Sequence, residues 1–386
     1  MSATLQGIER YEVISSESTF AGLSRGWDDL VRAMPRPSPF LLHAWLLEWL
    51  RHYGGASELA VQAAFRDGRL VGAFPLVHTS WRGLRVAKFL GGQHPSLADL
   101  LLASGEPAPT GAALLERAAS EHDFAELFGL AADSRLAQVA AQGQLHLFQR
   151  VDAPVLELTD DWDAVYRTKL SGKGRRDVQR RWRQLEQRGT LEFTLARSPK
   201  DVERALAEAF RLHALRWQGR QEMSGFATPT GISFHRAALG GLAEQDVVRL
   251  ATLSVGGQAI AFLLAFSVAE RAYLYRMAFD PSFARYGPGL LTVLETLASA
   301  AREGLMRVEF LGGAESFKLQ LADRLEPLHL GVGLATTARG RAVVRTRIAI
   351  LRLRERLKRS PTVRRAYDSA MPLRTRLTRP KDALRT

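Results

Sequence analysis

Apolar and polar positions alternate from Val247 to Val255, Gly256-Gly257 follows, and two more largely apolar runs, Gln258 to Ser267 and Arg271 to Phe279, come next. Period-two patterning with a two-residue glycine turn predicts three antiparallel strands, the first two joined as a hairpin. The period then changes. Leu290, Leu291, Val293, Leu294, Leu297, Ala298 and Ala301 recur at helical spacing, and Gly304 stands where a left-handed C-terminal cap belongs. Met306 to Leu311 reads as a further buried strand. Between the third strand and the helix lies Arg285-Tyr286-Gly287-Pro288-Gly289. Gly287 and Gly289 let the backbone turn tightly, and Pro288 suits a first helical position, where no N–H is needed. The free N–H groups of that first turn point outward and favour an anion, so the expectation is a socket for a phosphate-bearing cofactor.

The first half carries a similar order. Pro35-Arg36-Pro37-Ser38-Pro39 is a stiff connector, Phe40 to Tyr53 a leucine- and tryptophan-rich helix, and Leu59 to Phe65 with Leu70 to His78 a hairpin about Asp67-Gly68. Phe40 and His43, a helix, a strand and Asp67-Gly68-Arg69-Leu70-Val71-Gly72 parallel Phe234-His235, a helix, a strand and Gly256-Gly257-Gln258-Ala259-Ile260-Ala261. This is either a duplicated fold or the ordinary recurrence of helix–hairpin pairs. The first copy has no matching glycine-started helix after Phe89-Leu90-Gly91-Gly92-Gln93-His94-Pro95. Helices are expected at Gly111 to Ser120 and Asp133 to Ala141, with a strand at Glu126 to Leu130. The boundaries that follow are an N-terminal unit over 1–150, a second over 151–338 and a basic tail over 339–386.

Length, 386 residues with 46% hydrophobic, favours two domains. The net charge of +13 is unevenly held. Residues Arg339 to Thr386 contain 16 Lys and Arg against three acids, which leaves 37 of each sign in the rest. A neutral body gives no reason to expect a nucleic-acid-binding globule, whereas a basic arm finds anionic surfaces. Within it, Val343, Ile350, Leu353 and Leu357 fall on one side of a helix that Pro361 stops, and Pro372 and Pro380 suggest a loose end. That helix either lies on an anionic inner-leaflet surface or docks on the protein's own body. Tyr166 to Gly189 reads as a second basic helix, with Val178, Trp182 and Leu185 as its narrow apolar stripe. Its arginines either form a solvated face or contact a phosphate or anionic substrate.

There is no cysteine, which excludes disulfides, thiolate metal sites and a cysteine nucleophile. No Gly-x-Ser-x-Gly elbow or Gly-x-Gly-x-x-Gly turn after a strand supports a hydrolase or dehydrogenase. No paired His-Glu spacing suggests a metal, so none is expected. Leu170-Ser171-Gly172-Lys173-Gly174 lacks the spacing of a nucleotide loop. Neither a secretory signal nor a membrane-length apolar run is visible, and the expectation is a soluble, cytoplasmic protein, with its basic tail as a route to the inner membrane.

The three strands, glycine turn, helix and strand resemble the acetyl-coenzyme A binding half of GNAT acyltransferases. His213, Arg216 and Trp217, Phe234-His235, Gly257-Gln258-Ala259-Ile260-Ala261, Phe279-Asp280-Pro281, Tyr286-Gly287-Pro288-Gly289 and Glu309 through Lys318 look like the CelD/BcsL-type family, over roughly Phe40 to Leu330. That family is associated with cellulose and exopolysaccharide synthesis and is related to Fem-type aminoacyltransferases. The chain departs from the pattern at Glu309 (aspartate in the family), Gly312 (arginine), Ala314 (acidic) and Phe317 (tyrosine).

The resemblance implies an α/β mixed sheet in tandem GNAT-like domains, with acetyl-CoA bound by Met277, Ala278, Arg285, Tyr286, Gly287, Pro288, Gly289 and Leu290. Backbone N–H groups near Met277 and Ala278 would polarise the thioester between two splayed parallel strands. Glu309 is the expected base, with Tyr286 as acid or packing anchor, and Glu315 as a catalytic residue or Lys318's ion-pair partner. His213, Arg216, Trp217 and Lys318 would meet a saccharide, lipid-linked or small-molecule acceptor. By residue type alone, His213 and His235 read as core or surface histidines rather than metal ligands. The rival expectations are a Fem-like transferase taking its donor from charged tRNA, and a non-catalytic subunit of a polysaccharide or membrane assembly.

Overall fold

A computed structural model describes residues 10–92, 97–140, 144–218, 225–313 and 315–359. Gln93, His94, Pro95, Ala141, Ala314 and the tail from Pro361 onward lie outside these. The backbone is mixed α/β. Eleven strands form one sheet, and a smaller sheet of four holds Arg10–Ile14, Val61–Arg66, Arg69–Phe74 and Leu101–Leu102.

Both halves repeat one order. The helix His43–Tyr53, strand Val61–Arg66, a strand broken at Pro75 (Arg69–Phe74 and Leu76–Trp81), strand Leu84–Phe89, helix Ala108–Ser120 and strand Phe124–Ala131 make the first copy. The second is Pro229–Glu244, Val248–Val255, Gln258–Val268, Arg271–Phe279, Pro288–Arg302 and Arg307–Glu309. Asp67 and Gly68 (φ 50° and 68°), like Gly256 and Gly257 (55° and 81°), take the paired left-handed conformation that matches the twist of a tight hairpin.

The equivalent helices pack against each other. Trp45, fully buried, sits edge-on to Phe234 at 4.8 Å between ring centres, and Gly241 lies so close that a Cβ there would stand 3.1 Å from the Cβ of Ala44. At the centre of the large sheet, the antiparallel strands Leu145–Glu157 and Arg324–Gly333 pair with each other and connect the two copies. Residues 150 and 151 lie inside the first of these strands.

Two expectations need correction. The basic stretch from Tyr166 is not one helix: Leu170 is extended (φ −118°, ψ 126°), and the Ser171 hydroxyl accepts from the Gly174 N–H to start a second, so Trp162–Lys169 and Gly172–Glu186 are separate. The helix Ala338–Arg359 docks on the sheet, but through Val344, Ile348 and Leu351, which join Leu84, Val86, Phe124, Phe148 and Val332. Of the predicted stripe only Val343 packs there; Ile350, Leu353 and Leu357 face out. The helix carries two apolar stripes, and periodicity cannot say which one a neighbour covers.

Several histidines are buried. His122 is held near a pKa of about 4 by burial and by the adjacent His78, and His213 near about 4 by burial and by Arg276. An unfolded chain takes up protons on these side chains near 6.5, while the fold resists until about 4. Their contribution is therefore fully present above the unfolded value and lost as pH falls through that window. We expect the urea midpoint to be flat above about pH 7 and to decline toward pH 4. His122→Phe, which keeps an aromatic ring and removes the titrating nitrogens, should shallow the decline.

Candidate active site

The strand Arg271–Phe279 pairs along its length with Gln258–Val268, from Val268 opposite Arg271 to Ala261 opposite Phe279. Its other edge meets the parallel strand Arg307–Glu309 only at Arg271, Ala272 and Tyr273. Past Tyr273 the two part. Phe310 and Gly313 donate instead to the carbonyls of Pro154 and Asp152, so that chain follows Leu145–Glu157 while Arg271–Phe279 stays with its hairpin partner. A register shift between Leu264 and Ala265 leaves Tyr275 as an extra residue, a bulge where the gap opens.

The direction of the amides follows from ladder alternation. Asp280 donates to the Ile260 carbonyl at 2.8 Å, so Ala278 and Arg276 share that side, whereas Met277 and Phe279 turn their N–H groups to the parted edge. Of the two amides expected at the gap, Met277's is aimed there. Ala278's is turned away, and Phe279 takes its place.

At the end of this strand, Asp280 caps a single 3-10 segment, Pro281–Tyr286, by accepting from the Ser282 N–H at 2.9 Å. Gly287 then adopts φ 61°, ψ 44° and starts the helix Pro288–Arg302. The first intrahelical bond runs from Leu291 to the Gly287 carbonyl, so the Gly289 and Leu290 N–H groups have no acceptor among the described residues. Gly289 is pressed against the strand: a Cβ there would lie 3.2 Å from the Phe279 ring and 3.4 Å from the Met277 sulfur.

Cations gather at this turn. The helix Gly172–Glu186 brings the Arg181 guanidinium to where a Cβ on Gly287 would stand, while its Nε donates to Asp177 at 2.7 Å. Arg285 donates to the Tyr286 hydroxyl and lies 4.7 Å from its ring centre. Arg188 approaches the same ring at 5.9 Å. Burial acts to raise the Tyr286 phenol, but hydrogen bonds from Arg285 and Arg188 bring it below its usual value. Tyr286 thus belongs to the arginine-rich end of the site. Arg181 and Arg188 are visible in the sequence only as members of a basic run; the structure places Arg181 on the helix that starts after Leu170 and Arg188 just past its end, both at the glycine turn.

Glu309 is not the free carboxylate expected of a base. It is 1% exposed, and its Oε1 accepts from Arg307 Nε at 2.7 Å and Arg271 Nη1 at 3.2 Å, with Arg36 3.8 Å away. Glu326 continues the cluster, accepting from Arg36, from Arg307 at 2.7 Å and from Arg324 at 2.9 Å. Burial would raise Glu326, yet these cations hold it down to about 2. The Arg271 guanidinium also reaches the Pro35 carbonyl, and Tyr273 donates to that of Pro37. The cluster thereby clamps the proline connector onto the sheet. Glu315 is exposed and pairs with Lys318 at 3.0 Å, and Lys318 donates to the Gly312 carbonyl at 3.3 Å. Of the two expectations for that pair, the ion pair is the one formed.

On the other side of the strand, the end of the helix Pro199–Trp217 brings His213, Arg216 and Trp217 together. Arg216 lies 4.6 Å over the Phe279 ring, and His213 stacks on Trp217 with ring centres 5.9 Å apart. His213 Nδ1 and Arg276 Nε are both buried without a hydrogen-bond partner, polar atoms of the kind that a ligand or water satisfies. His235 bonds the Gly231 carbonyl through Nδ1 and the Tyr275 hydroxyl through Nε2, at 2.6 and 3.3 Å. Arg276 and Tyr275 carry no motif; only the bulge marks them.

The first copy has a corresponding parting, since Leu84–Phe89 meets Phe124–Ala131 only at Val86 and Ala87. Phe89 and Leu127, from the two strands that part, belong to one buried apolar cluster with Phe74, Leu100, Leu102 and Leu114. Among the described residues no group of three or more His, Cys, Asp or Glu could hold a metal.

Residues 172–319 match the family model of the acetyltransferase (GNAT) domain. No curated protein matches the chain in sequence. Among solved structures, the chain is similar to FemX (12% identity, TM-score 0.57, covering 83% of this chain and 96% of that one). It is also similar to the C-terminal domain (DUF2156) of a putative lysylphosphatidylglycerol synthetase from Agrobacterium fabrum (13%, 0.56, 87% and 97%). A third is L-PGS from Bacillus licheniformis (14%, 0.50, 83% and 97%). The fold class is therefore the mixed α/β GNAT fold, and the family model over residues 172–319 supports acyl transfer as the general activity.

Proposed function

We propose that this chain transfers an acetyl group from acetyl-CoA, with the diphosphate at the Gly287–Leu290 turn and the pantetheine arm along the parted edge of Arg271–Phe279. The observation that carries this reading is the convergence of two unsatisfied amides, Gly289 and Leu290, with Arg181, Arg188 and Arg285 at a helix end that is already positive. Asp177 pairs with Arg181, and the remaining positive charge calls for a bound anion.

The thioester carbonyl would then lie against the Met277 and Phe279 amides. Donors aimed at the developing oxyanion are worth roughly 3 kcal/mol. An amine or hydroxyl attacks the carbonyl carbon, the C–S bond breaks, and the departing thiolate takes up the proton that the nucleophile releases. His213, neutral at physiological pH with Nδ1 unpartnered, supports a role in accepting a hydrogen bond from that nucleophile. Its low basicity suits orientation better than proton abstraction. The acceptor is a sugar, a lipid-linked precursor or a small molecule, and the CelD/BcsL resemblance favours exopolysaccharide synthesis.

Acetyl-CoA at 100 times its dissociation constant should stabilise the fold by about 2.7 kcal/mol, read as a rise in melting temperature. Arg181→Ala should weaken that binding about tenfold, the loss of one charge-assisted contact, without lowering the ligand-free melting temperature. Absence of a shift at any concentration removes acetyl-CoA as donor. Thiol release across a panel of amines and alcohols then identifies the acceptor.

A Fem-like reading draws support from the likeness to FemX, and the same arginines suit the phosphates of a charged tRNA. Under it, transfer from aminoacyl-tRNA should proceed without acetyl-CoA and fall steeply with salt.

A further inference from the structure

The helix Ala338–Arg359 has two apolar faces, and the sheet covers one. Val344, Ile348 and Leu351 are buried against it, while Ile350, Leu353 and Leu357 stand 40%, 57% and 46% exposed. At 3.6 residues per turn, Ile350, Leu353 and Leu357 share one stripe on the side away from the docked face. Exposed arginines border that stripe on both flanks, with Arg345, Arg352 and Arg356 to one side and Arg354 to the other. Arg347, on the flank of Arg354, is drawn to Glu126 at 2.7 Å. Glu355, the helix's one acid, lies half-buried toward the docked side. Beyond the helix the sequence continues for 27 residues with seven Lys and Arg against two Asp.

We infer that this outer face binds an anionic phospholipid bilayer. The helix lies in the plane of the interface, with Ile350, Leu353 and Leu357 dipped beneath the headgroups and the flanking arginines on lipid phosphates. A narrow aliphatic stripe edged on both sides by long cations fits a surface that offers apolar depth below a layer of negative charge. Each basic residue near such a surface adds attraction that salt screens. The rest of the chain is neutral, so this face and the segment after it give the molecule its orientation. No described helix is long and apolar enough to cross a membrane. The inference is independent of the acyl donor.

Flotation of the full chain with vesicles of phosphatidylcholine alone, or with added phosphatidylglycerol, tests it. We expect flotation with the anionic vesicles, little with the neutral ones, and weakening at high salt. Combined Ile350→Ser, Leu353→Ser and Leu357→Ser should reduce vesicle affinity about a hundredfold or more, from the apolar burial lost. The melting temperature should be unchanged, because these side chains support no core. Three results would overturn the inference: no binding to anionic vesicles, a triple variant that floats as well as the parent, or a lipid-free dimer that the triple substitution makes monomeric, which assigns the stripe to a second copy.

Discussion

Glu309→Gln should lower the free energy of unfolding by about 3–5 kcal/mol, the usual cost of removing one partner from a buried ion cluster. The carboxylate is shared by Arg307 and Arg271, with Arg36 near, and all three guanidiniums are largely buried. Without it, Glu326 remains as the anion between Arg36 and Arg307, and Arg271 loses its carboxylate partner. The urea midpoint at neutral pH reports the effect. Arg271→Met should be milder, since it removes a cation from a cluster that has several. A Glu309→Gln protein that kept its midpoint but lost turnover would restore Glu309 as the base.

Gly287→Val should abolish donor binding while leaving most of the fold intact. At φ 61° a β-branched residue is a genuine outlier, and the new side chain would fall on the Arg181 guanidinium. Relief of either conflict turns the Gly289 and Leu290 amides or displaces Arg181, and both act on the same anion. The melting-temperature rise with acetyl-CoA, corresponding to about 2.7 kcal/mol at a hundredfold excess over the dissociation constant, should vanish. Gly287→Asn should retain part of it, because asparagine tolerates the left-handed conformation. A full ligand shift in the valine variant would move the donor site elsewhere.

The elements around the turn were legible because each had a local cause. Gly256-Gly257 sets a hairpin, Gly287-Pro288 starts a helix and Gly304 ends it, and none of these needs a distant partner. The direction of charge was also readable, down to the neutral body and basic end. What the residues do was less so. Glu309 read as a base because its strand flanks the gap. The arginines that occupy it are Arg36, 273 positions earlier, Arg271 on the neighbouring strand, and Arg307, two places back on Glu309's own strand and the one partner that period-two spacing puts on the same face. Glu315 and Lys318 were ambiguous for the opposite reason: an i, i+3 pair close enough to bond each other is indistinguishable in sequence from two groups aimed at a substrate.

By itself, the sequence determined the period of each element, the positions where the backbone must turn left-handed, and the uneven placement of charge, since these depend on residues a few places apart. Only the tertiary structure decided which of two apolar stripes on the last helix is covered. It alone settled which amides of Arg271–Phe279 face the parted edge, and that Arg181 meets Gly287. Each of these is a choice between faces that local propensity leaves nearly equal in energy, and burial against a distant partner makes it.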